Sequence, residues 1–366
     1  MQPICDYYGC TANQATIAYT LTNILCPVSM VISGFLIPKL GEKRLLRWAS
    51  FLVLVGAILF GAWNSLFNLY VSYGLLMGFG TSTLYGIVAT FGPKLFPQRS
   101  GMATGIIVTG LGVGMLIIPI ISRLLLDRIS IVLTIKILGC FLFALAQLSL
   151  TFMLPLPQEK VRRGESIVSS WATIFRTPCF DLLMVIMFGG VTSGLMLVSH
   201  TAVIASQRIG LNPAASAAAV SVVAIANIAG RFFWGSVSDK LNRFLTLALN
   251  FVFSGLMMAL LILSNQGNVV LFYLGAAGVG FAYGGFMSVL PPLCSDILGR
   301  ENITLEFGAV YIGFAAGGFF GPMLSNLYGG TFEYAFGTAI IVDLMCVGIL
   351  ALLSQLFKNK SLRNAI

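Results

Sequence analysis

Charge is what this sequence has least of. Only 9% of its 366 residues are Asp, Glu, Lys or Arg, against about a quarter in a soluble domain. So few charges cannot clothe a protein of this size in water, which argues against a soluble globular fold. Histidine is nearly missing as well, with His200 the sole copy, and the seven cysteines form no CxxC pair. A metal centre and a disulfide framework therefore lack raw material. The cysteines read as small apolar packing residues. No G-x-x-x-x-G-K-[S/T] loop is present, which argues against ATP-driven transport by this chain. No cluster of His, Cys and acids offers an enzyme its machinery, and no cofactor or metal is implied. The N-terminus lacks a basic stretch followed by a short apolar core, so no signal peptide is expected.

Apolar residues make up 58% of the chain, with 40 glycines and 28 phenylalanines. They fall in runs of about 20 to 30 residues, the length that crosses a bilayer core of roughly 30 Å as a helix. The pattern predicts an all-α, multi-pass integral membrane protein, most naturally of the cell membrane. Eleven spans are expected: about 15–38, 48–66, 69–90, 103–125, 132–154, 180–205, 214–234, 244–263, 269–290, 307–327 and 334–357. The longest polar interval carries "LPQEKVRRGES". It divides an N-terminal half of five spans, 1–157, from a C-terminal half of six, 180–366, with a cytoplasmic loop at 158–179 between them.

The net charge of +9 suggests nucleic acid until its distribution is traced. With the loop "KLGEKRLLR" in the cytoplasm, alternation of spans leaves Arg123, Arg128, Lys136 and Arg208 outside. Arg231 lies within a span, and the other sixteen of the 21 basic residues lie inside. This bias is the positive-inside rule. The basic excess encodes orientation, with the C-terminus inside and the N-terminus outside, and no nucleic-acid partner is implied.

An internal repeat underlies the two halves. "GFLIPKLGEKR" from Gly34 matches "GSVSDKLNR" from Gly235 at an offset of 201. "GFGTSTLYG" at Gly78 matches "GVGFAYGG" at Gly278 at an offset of 200, and "GLGVGMLIIP" at Gly110 matches "GFAAGGFFGP" at Gly313 at 203. A near-constant offset at three separated points marks two structural repeats, a transporter plan with its site between the halves near the midplane. Small-xxx-small pairs occur at Gly101/Gly105, Gly110/Gly114, Gly280/Gly284, Gly313/Gly317 and Gly317/Gly321. They allow close helix approach, as static packing or as smooth faces for rocking.

The twice-used G-x-x-x-[P/D]-K-x-[G/N] loop resembles the signature loop of the major facilitator superfamily. The stretch "GLMLVSHTAVIASQRIGLNPAASAAAVSVVAIANIAGRFFWGSVSDKLNR", Gly194 to Arg243, is similar to the oxalate–formate antiporter family, close to the monocarboxylate transporters. "YGCTANQATIAYTL" and "GFAAGGFFGP" agree with it. The resemblance implies a major facilitator fold of twelve spans, of which this sequence holds eleven, the first being the one it lacks. It also implies a secondary transporter for a small organic anion, working as an antiporter or a proton symporter, and a monomer in the lipid bilayer. Drug efflux and a truncated, non-transporting fragment or sensor are the alternatives. "GMATGIIVTGLGVG" partly resembles an antiporter motif, but Met115 follows Gly114 where Gly-Pro is expected.

Arg231 stands eight residues before Asp239, a helical rise of about 12 Å. Half the hydrocarbon core is about 15 Å, so Arg231 falls near the midplane. A guanidinium keeps its charge there and must face protein or a watery cavity. Its planar fork suits a carboxylate, and the resemblance implies that it contacts the substrate. The bland alternative is a structural arginine, snorkelling inward or paired with an acid. Asn227, Tyr283, Tyr85 and Tyr311 are further candidates for the substrate cavity, with packing as the alternative for each. His200 divides evenly between a substrate role and an interfacial one.

Gly235, Asp239, Lys240 and Arg243 resemble the family's cytoplasmic latch, in which the aspartate caps a neighbouring helix and pairs with arginine. Gly34, Gly41 and Arg44 are the first-half counterparts. Pro38 replaces the aspartate there, and a proline cannot make that contact. The family register places a lysine at Phe314 in oxalate-exchanging members. One cation instead of two favours a monocarboxylate. Asp343, well inside the last span, is open to a coupling proton or to packing against a polar neighbour.

Overall fold

The computed structural model describes residues 2–153, 178–300, 302–327 and 332–363. Most of the expected loop 158–179 lies outside them. Every regular element among the described residues is helical. The chain runs α1 (Gln2–Tyr8), α2 (Ala12–Leu40), α3 (Glu42–Leu59), α4 (Leu66–Leu69), a π-helical stretch (Tyr70–Met77), α5 (Gly78–Ala89), α6 (Phe91–Leu95), α7 (Ser100–Leu126) and α8 (Ile131–Thr151). After the gap come α9 (Pro178–Gln207), α10 (Pro213–Lys240), α11 (Arg243–Leu263), α12 (Val269–Leu298), α13 (Ile303–Val310), α14 (Ile312–Leu327) and α15 (Phe332–Arg363).

Among the described residues, ten helical stretches are long and apolar enough to cross a membrane. The eleventh expected span, 48–66, is represented by α3, which is 18 residues long. It starts earlier than its apolar run, among Glu42, Lys43, Arg44 and Arg47, and stops at Leu59. The stop has a local cause. Gly61 adopts φ 72°, a left-handed conformation that glycine takes without penalty. Asn68 braces this turn, its Oδ1 accepting from Gly61 N–H at 3.0 Å and its Nδ2 donating to Leu59 O at 3.0 Å. The Tyr8 hydroxyl donates to Asn68 Oδ1 at 2.8 Å and accepts from Gly61 N–H at 3.0 Å. Burial raises the Tyr8 phenol above its ordinary value of 10.0 despite the Gly61 hydrogen bond, so it remains a donor at neutral pH.

Helix ends follow the capping residues in the sequence. Thr11 and Gln14 form a reciprocal capping box on α2, satisfying two otherwise orphaned donors. Ser130, Asn212 and Asn242 cap α8, α10 and α11.

The described residues group into two compact units. One is drawn from 1–88, 117–167 and 301–309; the other from 89–116, 168–300 and 310–366. In the first, Tyr8, Ala18, Phe60 and Leu69 form a buried cluster beneath the Gly61 turn. Gly34 backs onto Leu305, whose backbone leaves no room for a Cβ. In the second, Met196, Leu197, Val223, Met258, Phe272, Val279 and Phe336 join α9, α10, α11, α12 and α15 in one apolar core. The expected division into halves at 158–179 falls mostly outside the described residues.

Candidate functional site

Helix α10 begins where Asn212 Oδ1 accepts from Ala215 N–H at 2.8 Å and Pro213 takes the first helical position, where its missing N–H costs nothing. Its buried residues run Ser216, Ala219, Val223, Asn227, Arg231, Trp234 and Ser238, with Gly230 and Gly235 beside them. That spacing of three and four makes one stripe, and Asn227 and Arg231 lie on it rather than on the outer face.

Glycines bring two helices against this stripe. A Cβ on Gly280 or Gly284 of α12 would run into the Val223 or Asn227 carbonyl. On α7, Gly101 meets Gly235 and Ser238, Gly105 meets the Arg231 carbonyl, and Gly112 meets the Ile228 side chain. Gly313, Gly317 and Gly321 of α14 likewise lie against the Met184, Phe188 and Thr192 carbonyls of α9. Close helix approach is thus present at four of the five spaced pairs. At Gly110 and Gly114 a methyl group would meet nothing within 4 Å.

Arg231 is 2% exposed and Asn227 7%. The Arg231 Nε–H donates to Asn227 Oδ1 at 2.9 Å, and Nη1 donates to the Val108 carbonyl of α7, also at 2.9 Å. Asn227 Nδ2 in turn donates to Gly280 O on α12 at 3.2 Å. The side chain is therefore tied to α7 directly and to α12 through Asn227. Among the described residues no carboxylate pairs with it. A buried permanent cation without a counter-ion is electrostatically costly, and an anionic ligand lowers that cost.

The end of α10 is built around charge. Asp239 accepts from the first backbone N–H groups of α7: Gly101 at 2.8 Å to Oδ1 and Met102 at 2.7 Å to Oδ2. A carboxylate here satisfies orphan donors and complements the helix dipole. Arg243 Nη2 lies 3.5 Å from Asp239 Oδ1 and donates to Ser100 Oγ at 2.6 Å. Its Nη1 pairs with Asp296 at the end of α12. Gly235 and Gly101 touch backbone to backbone, so a side chain on either would part α10 from α7. Lys240 is exposed and stands outside this network.

The remaining candidates scatter. Tyr283 of α12 is buried, lies against Gly194, and lines a small cavity with Ser193, Asn250 and Ser254. His200 is half-buried, with Nδ1 3.0 Å from Ser199 Oγ and 3.3 Å from the Met196 carbonyl. Tyr311 sits at the break between α13 and α14, stacked on Phe314 at 4.4 Å and 12°. Tyr85 lies half-buried on α5 in the first unit. Also in that unit, Gly41 ends α2 at φ 78°, and Arg44 is exposed.

One contact escapes sequence reasoning, and one residue that the sequence singles out proves more deeply buried than its place suggests. Asp296 joins the Arg243 network from 53 residues away, and no spacing rule links them. Asp343 is buried more deeply than a place in the last helix suggests, at 1% exposed. Its oxygens accept no hydrogen bond among the described residues.

The chain is 28% identical over 302 residues to the uncharacterized MFS-type transporter YhjX of Escherichia coli, covering 82% of this chain and 75% of that one. It is 27% identical to the oxalate:formate antiporter of Oxalobacter formigenes, covering 93% and 81%. It is 22% identical to human monocarboxylate transporter 10, covering 81% and 61%. Its fold matches the solved structure of FucP, a Major Facilitator Superfamily transporter in the outward conformation, with a TM-score of 0.74 at 16% identity, covering 98% and 93%. The model of the Major Facilitator Superfamily matches residues 1–322 and 201–362, and the chain belongs to that family of membrane transporters.

Proposed function

We propose that this transporter carries a small organic anion, of the monocarboxylate type, across the cell membrane by alternating access. Its two moving parts are the halves 1–157 and 180–366, and Arg231 is the anion anchor. The observation that carries this reading is a 2%-exposed guanidinium with two protein acceptors and no carboxylate partner among the described residues. Asn227 and the Val108 carbonyl fix Nε and one hydrogen of Nη1. The Nη2 edge is the part of the fork left for a carboxylate. Relatives named for oxalate, formate, sialic acid and monocarboxylates support the substrate class.

In this reading Asp239, Arg243, Gly235 and Ser100 form the cytoplasmic latch, closed when Asp239 caps α7 and broken when the site opens inward. His200, Tyr283, Tyr85 and Tyr311 are proposed as lesser contacts to the cavity. The transporter works as a monomer with its C-terminus in the cytoplasm, coupled to a counter-anion or a proton.

Counterflow in proteoliposomes tests the reading, using radiolabelled formate, lactate, pyruvate and oxalate on the wild type and Arg231→Gln. Uptake of a monoanion that disappears in Arg231→Gln is expected. Uptake that persists in the variant would remove Arg231 from the site. Oxalate as best substrate would overturn the monoanion assignment.

A further inference from the structure

Asp343 lies on α15, one helical turn before Cys346, where α15 packs against α9 and α11. It is 1% exposed, and neither carboxyl oxygen accepts a hydrogen bond among the described residues. The polar groups that face it are the Ser254 hydroxyl of α11 and the Ser193 hydroxyl of α9. Both serines also border a cavity of about 10 Å³, which Asn250 and Tyr283 complete. That volume is at the lower limit for one water, and four polar side chains around it are enough to hold one.

These observations belong together. A buried carboxylate without donors carries a heavy desolvation cost, whereas the neutral acid carries far less. A purely structural acid would be tied down by hydrogen bonds, as Asp239 is. Here the Ser254 and Ser193 hydroxyls face the carboxyl without completing a hydrogen bond to it; Ser193 Oγ donates instead to Gly190 O at a long 3.4 Å, and Asn250 donates to Ala282 O at 3.0 Å. Among the described residues no cation stands nearby to hold the charged form. On α15, Glu333 is ten residues away and Lys358 fifteen, about 15 and 22 Å along the axis. On α11, Arg243 is eleven residues from Ser254; on α9, Asp181 and His200 are twelve and seven from Ser193. Helix α14 carries no titratable residue. Cys346, whose sulfur packs on Gly189, is the titratable group that does face Asp343.

We propose that Asp343 is a proton-binding site, neutral in this conformation and exchanging its proton through the small cavity bounded by Ser193, Asn250, Ser254 and Tyr283. On release the carboxyl O–H bond breaks and the proton passes to a cavity water. The carboxylate left behind then accepts hydrogen bonds from the Ser193 and Ser254 hydroxyls, which turn toward it. The site is separate from Arg231 and does not depend on which anion the protein carries.

Infrared difference spectroscopy on the purified, lipid-reconstituted protein tests this without any substrate. The wild type at neutral pH is expected to show a protonated-carboxyl C=O band that is missing from Asp343→Asn, that weakens as pH is raised, and that shifts in D2O. Asp343→Glu, which keeps the acid, should move the band rather than remove it. This second variant serves if Asp343→Asn does not fold. A spectrum with no such band, or a band unchanged in both variants, would overturn the assignment. A band that depends on Asp343 but neither titrates nor shifts in D2O would mark a sealed structural acid and overturn it equally. Failure of the anion reading in counterflow would leave these spectra interpretable.

Discussion

Arg231 donates its Nε–H to Asn227, one turn earlier on the same helix, at 2.9 Å. Through that bond a guanidinium is held along α10 with no acid paired to it among the described residues. Asn227 is engaged at both ends, since its amide donates to Gly280 on α12. Converting the acceptor to a carboxylate therefore changes the charge of the site with little change in shape.

Asn227→Asp is expected to give Arg231 an internal counter-ion and make it a poorer anion receptor. The KM for the transported acid should rise about tenfold or more, equivalent to about 1.4 kcal/mol of binding, while the new ion pair offsets part of the stability lost with the Nδ2–H donor to Gly280 O. Transport kinetics in proteoliposomes check this. An unchanged KM would mean that substrate does not meet the guanidinium.

Asp239→Asn removes the charge that caps α7 while keeping the side chain's size. Two charge-assisted hydrogen bonds and an ion pair are weakened, so a loss of about 1.5–3 kcal/mol is expected. Thermal unfolding in detergent reads it. Lys240→Gln, outside the network, should change stability by less than about 0.5 kcal/mol. Equal effects at the two positions would contradict the capping geometry.

Glycines spaced alike in the sequence should respond oppositely. A methyl on Gly101 meets Gly235 and Ser238, whereas one on Gly110 or Gly114 meets nothing within 4 Å. Gly101→Ala is expected to cost about 1–3 kcal/mol through overpacking. Gly110→Ala should be neutral or gain up to about 1 kcal/mol from helix propensity. The same unfolding assay distinguishes them.

Phe314→Lys places a second cation on α14 and removes the stack with Tyr311. Loss of the ring pair is expected to cost about 0.5–1.5 kcal/mol. If position 314 faces the anion, the ratio of oxalate to formate uptake should rise. A ratio that stays fixed would locate position 314 away from the substrate path.

Much of the architecture is legible in the sequence. Long apolar runs with few charges dictate membrane helices because an unsatisfied backbone cannot cross lipid. The capping residues Thr11, Asn212 and Asn242 announce where helices begin. The end of α3 is not legible, because hydropathy continues past Leu59. The Gly61 turn that stops the helix depends on Tyr8 and Asn68, which sequence distance hides. Arg231 and the Asp239–Arg243 pair stand out because a charge in an apolar segment is costly, and such a charge is visible in the sequence.

Partnership is a different matter. A bundle of membrane helices, with one arginine inside an apolar run, follows from the order of residues alone. Period, length and hydropathy are local properties, and the bilayer enforces them one segment at a time. It took the packed helices to reveal that Asp239 caps α7 and that Asp296 completes the arginine network. The same holds for Gly101, which packs while Gly110 does not, and for Asp343, buried against the Ser193 and Ser254 hydroxyls that border a water-sized cavity. Each of those facts depends on which helix faces which, and the same glycine or carboxylate has opposite consequences on a packed face and an open one.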